Sequence, residues 1–369
     1  MTIRGLLSWA VLGALLTPVV GGVALRAADQ PWQIADDFAA KINKTNVDPA
    51  PTLSLDPISS GATPAPSSDA KPASATTEPQ VLTLAAGGTA SRIHGFGDFR
   101  INTQYITPRG LVAVESSPQF QVLFGLVFNL YHGDGFISDF SLIGGIWGDL
   151  NPHPDKSVVT GADVVSEVDI FGGFDMKFAQ KWDLAYTIQA WTFPDLTNGT
   201  TREIDPSTEY NMDLKLSFDD SEYLKDFALH PYVDVFWNFA GASSPVVAQA
   251  LLGKNDHTFY VELGISPSYT FKGITDLPIT FTFPTYFTMG DSSFWGETPS
   301  GDRSCMGVFS TGIKISAPLK FIPTDFGNWN AYIGMSYIHT CNPALTFINS
   351  GTGADSNLVL GYAGVGFGF

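Results

Sequence analysis

Long apolar runs and positive charge are both scarce in this sequence, and each shortage excludes a class of protein. Past the N-terminal stretch there is no run of about 20 apolar residues, so a helical membrane span is not expected there. The chain has 19 basic and 36 acidic residues and a formal charge of −17, which argues against nucleic acid as a partner. Charged residues make up only 15% of the chain, below the roughly 25% of soluble domains, while aromatic residues reach 13%. Apolar content without apolar runs is typical of alternating β-strands.

Two N-terminal segments differ in composition from the rest of the chain. Residues 1–28 are predicted to be a secretory signal peptide, with Arg4 ahead of an apolar core at 6–20 and small residues after it. An uncleaved inner-membrane anchor is the alternative. Residues 29–90 are dominated by Pro, Ala, Ser and Thr, a composition that cannot bury a core. They are predicted to be a disordered periplasmic segment, and the residues do not indicate its role.

Residues 91–369 alternate between apolar and polar positions and are predicted to form a transmembrane antiparallel β-barrel of about 12 strands, an all-β fold. In the clearest segment Phe120, Val122 and Phe124 share one face, while Gln119 and Gln121 lie opposite. Each segment is close to the ~10 residues that a tilted spanning strand needs. The predicted strands are 96–106, 118–131, 136–148, 164–178, 181–193, 208–219, 231–241, 258–271, 278–289, 304–317, 329–340 and 357–369.

The connections between these strands alternate in length. The longer ones are 107–117, 149–163, 194–207, 242–257, 290–303 and 341–356, and the intervening ones are generally shorter. Long and short connections that alternate around an even number of strands are the outer-membrane arrangement, with both termini in the periplasm and the long loops outside. A soluble β-sandwich gives no reason for this alternation and would carry polar residues on its outer faces.

The last strand ends in Gly366-Phe367-Gly368-Phe369, with one face apolar to the end. Exposed to water, such an edge would promote aggregation. In an outer-membrane barrel it is the closing strand, whose outer face meets lipid and whose terminal aromatic lies near the interface. Phe369 also resembles the end signal that the barrel-insertion machinery reads. The expected location is therefore the bacterial outer membrane, with its lipid and that machinery as partners.

If the apolar faces meet lipid, the opposite faces line the lumen. A Lys or Arg on the lipid face at mid-membrane would cost about 2–4 kcal/mol, so inward placement of charge is favoured. The predicted lumen set holds nine acidic and four basic residues: Asp98, Arg100, Asp139, Glu167, Asp169, Asp175, Lys177, Asp183, Asp213, Lys215, Asp234, Glu262 and Lys314. Two roles remain open for them. They form either a hydrated pore whose acidic wall favours cations, or salt bridges that hold a narrow or plugged lumen together.

The chain has two cysteines, Cys305 and Cys341. Neither cysteine directly follows the predicted signal peptide, so there is no lipoprotein attachment site. No paired spacing suggests zinc or haem, so no cofactor is expected. On the strand map both lie at the outer ends of neighbouring strands, in a compartment that permits oxidation. A disulfide between them is predicted, and two free thiols are the alternative.

The leader, the alternating strands, the long outer loops and the Gly-Phe-Gly-Phe end resemble a small bacterial outer-membrane porin. Two short segments that begin at Trp182 and Pro231 are also similar to the TorF-type putative porins. The resemblance implies passive passage of small polar solutes or ions, and it brings no catalytic residues. With the acidic wall, it leads us to expect a diffusion channel that favours cations.

Two other functions stay open at this point. A non-conducting barrel with a structural or adhesive role would have a closed lumen and loops that bind a partner. An outer-membrane hydrolase would need a histidine held beside a serine or acid. None of the six histidines has a His-x-Ser arrangement on a strand, so the chain is not expected to be an enzyme.

Overall fold

The structure, a computed structural model, describes residues 92–107, 109–153, 164–192, 208–241, 258–271, 277–351 and 356–369. The predicted signal peptide and the predicted periplasmic segment both lie outside these residues. Within the described ranges, no helix is long and apolar enough to cross a membrane.

Antiparallel strands dominate the described residues, with three short helices in the connections. The strands are β1 (Ile93–Asn102), β2 (Tyr105–Ile106), β3 (Val112–Val114), β4 (Gln119–His132), β5 (Ile137–Leu150), β6 (Val165–Phe178), β7 (Trp182–Thr192), β8 (Thr208–Phe218), β9 (Tyr232–Gly241), β10 (Thr258–Ile265), β11 (Ser268–Phe271), β12 (Ile279–Thr282), β13 (Thr285–Gly290), β14 (Met306–Pro318), β15 (Asn328–Thr340) and β16 (Asn357–Gly368). The helices are α1 (Ser221–Leu224), α2 (Ser292–Trp295) and α3 (Pro343–Gly351), and single 3₁₀ turns occur at Lys225–Phe227 and Thr324–Phe326.

The sheet closes on itself as a twelve-strand barrel, which confirms the predicted fold class. Each strand pairs antiparallel with its neighbour, and β1 closes the barrel by pairing with β16, with Phe99 opposite Val365. β10 with β11, and β12 with β13, each form one interrupted spanning strand. Pro267 and Pro284 lie at the two interruptions, where proline cannot donate to the ladder. Every predicted strand segment overlaps one of the twelve.

The outer surface of the barrel is apolar, and its side chains alternate with buried ones. Along β4, Phe120, Phe124 and Leu126 are exposed, whereas Leu123 and Val127 are 1% exposed. The exposed members would meet hydrocarbon in a membrane rather than water. The inward members pack within the barrel, which has its core where a wide porin would hold water.

Two adjacent glycines show how closely the strands approach each other. A Cβ on Gly173 would lie 1.8 Å from the carbonyl oxygen of Tyr186 on β7. A Cβ on Gly172 would meet only the Ile143 carbonyl oxygen, at 3.8 Å. Gly173 therefore allows a backbone approach that no other residue permits, while Gly172 occupies ordinary space.

Candidate functional site: a plugged lumen

The connection after β1 turns into the barrel instead of forming an outer loop. Residues 105–114, here called the plug, form a small hairpin of β2 and β3 with Tyr105 opposite Val114. Ile106 and Val112 are completely buried, and Val114 is 1% exposed. The prediction that the first strand runs to 106 and that 107–117 is an outer loop is therefore wrong. Apolar residues of this kind would be exposed to water outside the barrel and are buried inside it.

The plug packs into an apolar cluster that fills the outer end of the lumen. The barrel wall and two outer connections supply the rest of it: Trp191, Phe236, Tyr260, Phe294, Trp295, Val308, Ile338, Leu345, Leu358 and Leu360. Phe294 and Trp295 come from α2 and Leu345 from α3, so both helices fold inward with the plug. Stacked and edge-on rings, such as Phe236 on Tyr260 at 5.0 Å, hold the cluster together.

Polar contacts fix the plug against α3, and a separate cap stabilises α2. On α3, the Asn349 side chain accepts a hydrogen bond from the Val112 N–H at 3.2 Å and donates one to the Gly110 carbonyl at 2.9 Å. The Asp291 carboxylate caps α2 by accepting from the Ser293 N–H at 3.0 Å. That backbone hydrogen bond holds the pKa of Asp291 below its usual value.

One arginine of the plug reaches the wall and lies among aromatic rings. An Arg109 Nη donates to Glu209 Oε1 at 2.7 Å, and both side chains are almost fully buried. The guanidinium carbon lies 4.1 Å from the ring centroid of Trp191, 5.0 Å from that of Phe236 and 5.9 Å from that of Phe294. We call Trp191, Phe236, Phe294 and Glu209 the Arg109 cage.

The wall beside the plug is strongly acidic. Asp149, Glu167, Asp169 and Glu209 are each 4% exposed or less, and they lie on β5, β6 and β8, with β7 between the last two. Asp149 lies directly opposite Glu167 in the register of β5 and β6. The Tyr105 hydroxyl of the plug donates to Glu167. Because four acidic side chains converge here, a cation such as the Arg109 guanidinium is held where the negative potential is concentrated.

Most of the other predicted lumen residues are buried along the inward face of the wall, interleaved with tyrosines. Asp98, Arg100, Asp175, Asp213, Asp234 and Glu262 are each 3% to 6% exposed, and Lys215 and Lys314 are partly buried. The Tyr332 hydroxyl donates to Asp98 at 2.6 Å, and the Tyr232 hydroxyl donates to Glu262 at 2.7 Å. Sequence reasoning missed these tyrosines, although Tyr232 has the same strand parity as the predicted Asp234.

The basic residues of this set lie over tyrosine rings. Arg100 lies 4.0 Å from the ring centroid of Tyr362, Lys215 4.9 Å from that of Tyr232, and Lys314 4.9 Å from that of Tyr332. Aromatic rings attract cations through their negative faces, so each ring lowers the cost of keeping a positive charge inside the barrel.

The remaining predicted lumen residues lie at the inner rim. Asp139 pairs with Lys177 across β5 and β6, and Lys177 pairs with Asp183 across β6 and β7. Asp139 also forms a contact of 2.7 Å with His132. These three charges form a partly exposed row at the entrance, away from the plug.

Both cysteines are free thiols in the structure, so the predicted disulfide is not formed there. The reason lies in the register at the outer ends of β14 and β15. The Cys341 N–H donates to the carbonyl of Gly307 at 2.8 Å, which sets Gly307 rather than Cys305 opposite Cys341. The two cysteines therefore do not face each other directly, although they lie in adjacent segments.

The architecture defines the class of the protein. A closed antiparallel barrel with an even number of strands, an apolar outer face and a charged interior is the form in which bacterial proteins cross the outer membrane. The chain is an outer-membrane β-barrel. Among the described residues, no grouping of His, Cys, Asp and Glu is arranged to hold a metal ion.

Similarity to known proteins is distant. No family model matches the sequence, and no curated protein matches it. The β domain of the Bordetella autotransporter BrkA is 12% identical, with 75% of this chain and 99% of that chain covered and a TM-score of 0.37. The NanC porin is 11% identical, with 73% and 98% covered and a TM-score of 0.40. An outer-membrane channel from Pseudomonas putida F1 is 10% identical, with 75% and 95% covered and a TM-score of 0.37. The finer resemblance to TorF-type porins stays a prediction.

Proposed function

We propose that the protein is an outer-membrane channel for small polar solutes and cations, and that the plug closes it in the state described here. The observation that supports this most is the contrast between the two parts of the lumen. The wall carries buried charge and tyrosine hydroxyls along its inward face, whereas the outer end is closed by the plug, which is not part of the wall and packs against α2 and α3. Displacing the plug would leave a polar, acidic passage through the barrel.

The preference for cations follows from the sign of the wall. The lumen residues include more acids than bases, and the low dielectric of the surrounding protein and lipid strengthens their field. A permeating anion would be repelled at the level of Glu167 and Glu209, whereas a cation would be attracted. We propose no enzymatic role.

A barrel that never conducts is the second candidate, and one observation favours it. Three apolar residues of the plug are buried in one cluster with ten from the wall and the helices, which is the packing of a permanent core rather than of a loose gate. Such a barrel would serve a structural or adhesive role through its outer face.

Electrical recording of the refolded protein in a planar bilayer tests the channel. A plug-replaced variant would carry an Asn-Gly turn in place of residues 104–117, which is feasible because Asn102 pairs with Gln119 and the two strand ends are adjacent. We expect discrete conductance steps in this variant, with a reversal potential in a salt gradient that shows cation preference. A folded plug-replaced barrel that never conducts would contradict the proposal.

A charge-matched pair of substitutions in the plug-replaced background tests the selectivity. Asp234→Asn removes an inward acid that is 6% exposed, and we expect it to reduce the cation preference. Asp325→Asn removes an exposed acid from an inner connection and should leave the reversal potential unchanged. Equal effects of the two changes would show that the acidic wall does not set selectivity.

A further inference from the structure

The Arg109 cage is built mainly from elements that stay behind if the plug moves. Trp191 lies on β7, Glu209 on β8 and Phe236 on β9, which are consecutive strands of the wall. Phe294 comes from α2, whose cap is Asp291 rather than a residue of the plug. Tyr260 on β10 supports the cage from behind, with its ring 5.0 Å from both Phe236 and Phe294. The guanidinium of Arg109 is thus bound as a ligand, and the wall provides the binding site.

The cage has the composition of a cation-binding site. Aromatic faces within about 6 Å of a cation attract it, and the effect is larger where water is excluded. A carboxylate at 2.7 Å from the Arg109 Nη supplies the counter-charge. Aromatic rings with one acid are the arrangement by which proteins recognise alkylated ammonium and guanidinium groups.

Removal of the plug would leave the negative charge of this site without its positive partner, so the site would attract a cation. Glu209 is 1% exposed, and Glu167 and Asp169 lie on the neighbouring part of the wall. When the plug leaves, Glu209 loses its ion-pair partner while the neighbouring acids keep the site negative, so a cation that restores the pair is favoured. The open state of the barrel therefore favours any solute that can replace the arginine side chain.

We propose that the Arg109 cage is a binding site for the guanidinium group of a solute, and that Arg109 occupies it as an internal ligand while the plug is in the lumen. This rests on the proposed function, since the solute competes with the plug that closes the channel. A planar guanidinium suits the site better than an alkylammonium, because it stacks on flat rings and pairs with a carboxylate through a fixed fork of donors. A neutral urea of the same shape lacks the charge that the cage selects.

Binding to an emptied cage is the direct test. Arg109→Ala removes the internal ligand, and calorimetry on the refolded barrel would use ethylguanidinium as the probe and ethylurea as its neutral isostere. We expect ethylguanidinium to bind Arg109→Ala about tenfold more tightly than the wild type, a difference of about 1.4 kcal/mol, and ethylurea to bind neither. Addition of Glu209→Gln to Arg109→Ala should abolish the gain. Equal affinity of ethylguanidinium for the wild type and Arg109→Ala, or for Arg109→Ala with and without Glu209→Gln, would overturn the proposal.

A matched control and a milder variant keep the test decisive. Arg303→Ala removes an arginine whose side chain is 52% exposed and pairs with Glu297 outside the cage, so it should not create a binding site. If Arg109→Ala folds only when ethylguanidinium is present, that rescue is itself the expected binding. Arg109→Lys retains a positive charge but stacks less well, and ethylguanidinium should bind it more tightly than the wild type. An unchanged affinity in Arg109→Lys would count against the proposal.

Calorimetry separates this proposal from the channel itself, because it needs a folded barrel and no conductance. If ethylguanidinium binds Arg109→Ala but the barrel never conducts, the binding site is supported and the channel function is refuted. If the plug-replaced variant conducts but ethylguanidinium does not bind Arg109→Ala, the channel function is supported and the binding site is refuted.

Discussion

The stability of the closed state should depend on single apolar residues of the plug, and Ile106 offers the cleanest case. Ile106 is completely buried in the cluster at the outer end of the lumen. Replacing a buried isoleucine by alanine costs about 2–5 kcal/mol, through lost transfer free energy and the cavity that remains. In a displaced plug the same side chain would be exposed to water, so nearly all of this cost falls on the closed state.

The size of the effect follows directly. Since about 1.4 kcal/mol is a factor of ten, Ile106→Ala should raise the ratio of displaced to inserted plug by about 30-fold to several thousand-fold. The matched control is Ile101→Ala, at an isoleucine that is 49% exposed on the outer face of β1. Ile101 has no contact with the lumen, so its truncation should leave this ratio unchanged.

Trypsin gives a readout that does not depend on conductance. The bond after Arg109 is buried while the plug is inserted, and cleavage there reports the displaced population when the plug moves quickly relative to cleavage. Cleavage after Arg303, which is exposed, serves as the internal standard. Ile106→Ala should accelerate cleavage at Arg109 relative to Arg303, and Ile101→Ala should not. Equal rates at Arg109 in the two variants would refute the idea that the plug is held by burial of its apolar residues.

Three further predictions concern other parts of the barrel. Asp291→Ala should lower the free energy of unfolding by about 1 kcal/mol in chemical denaturation, because it removes the cap of α2. The pKa of Asp291 is lower in the folded state than in the unfolded state, so the stabilisation by this cap is fully present above the unfolded-state pKa. It is lost as the pH falls through the folded-state pKa. Gly173→Ala should cost about 1–3 kcal/mol by overpacking against β7, whereas Gly172→Ala should be nearly neutral, and equal melting temperatures would contradict the strand spacing described here. Maleimide should label the exposed Cys305 faster than Cys341, because burial raises the pKa of the Cys341 thiol; faster labelling of Cys341 would argue against this register.

The barrel wall could be predicted from the sequence because one physical pattern determines it. A strand with lipid on one side and protein on the other must alternate with period 2, and β4 shows this with Phe120 and Phe124 outside and Gln121 and Leu123 inside. The same parity predicts which charged residues face inward. The interruptions at Pro267 and Pro284 do not change the strand count, because the chain continues in the same direction after each proline.

The plug could not be predicted by the same reasoning, because a loop that folds inward has no fixed period. Residues 111–114 are Leu-Val-Ala-Val, an unusually apolar stretch for an outer loop, and this was the available signal. Its partners come from distant parts of the sequence: Asn349 is 237 residues from Val112. The Arg109 cage likewise depends on three strands and a helix that meet only in the folded barrel. Sequence reasoning placed Glu167 and Asp169 on the inner face but gave no reason to expect an arginine from a loop beside them.

The most direct test of closure by the plug compares the mean conductance of the wild type with that of the plug-replaced variant, in the same bilayer and at the same voltage. We expect a wild type that is mostly closed with rare openings, and a plug-replaced barrel that is steadily open at the level of those openings. A wild type that conducts as well as the variant would contradict this expectation, because the plug would then not close the lumen.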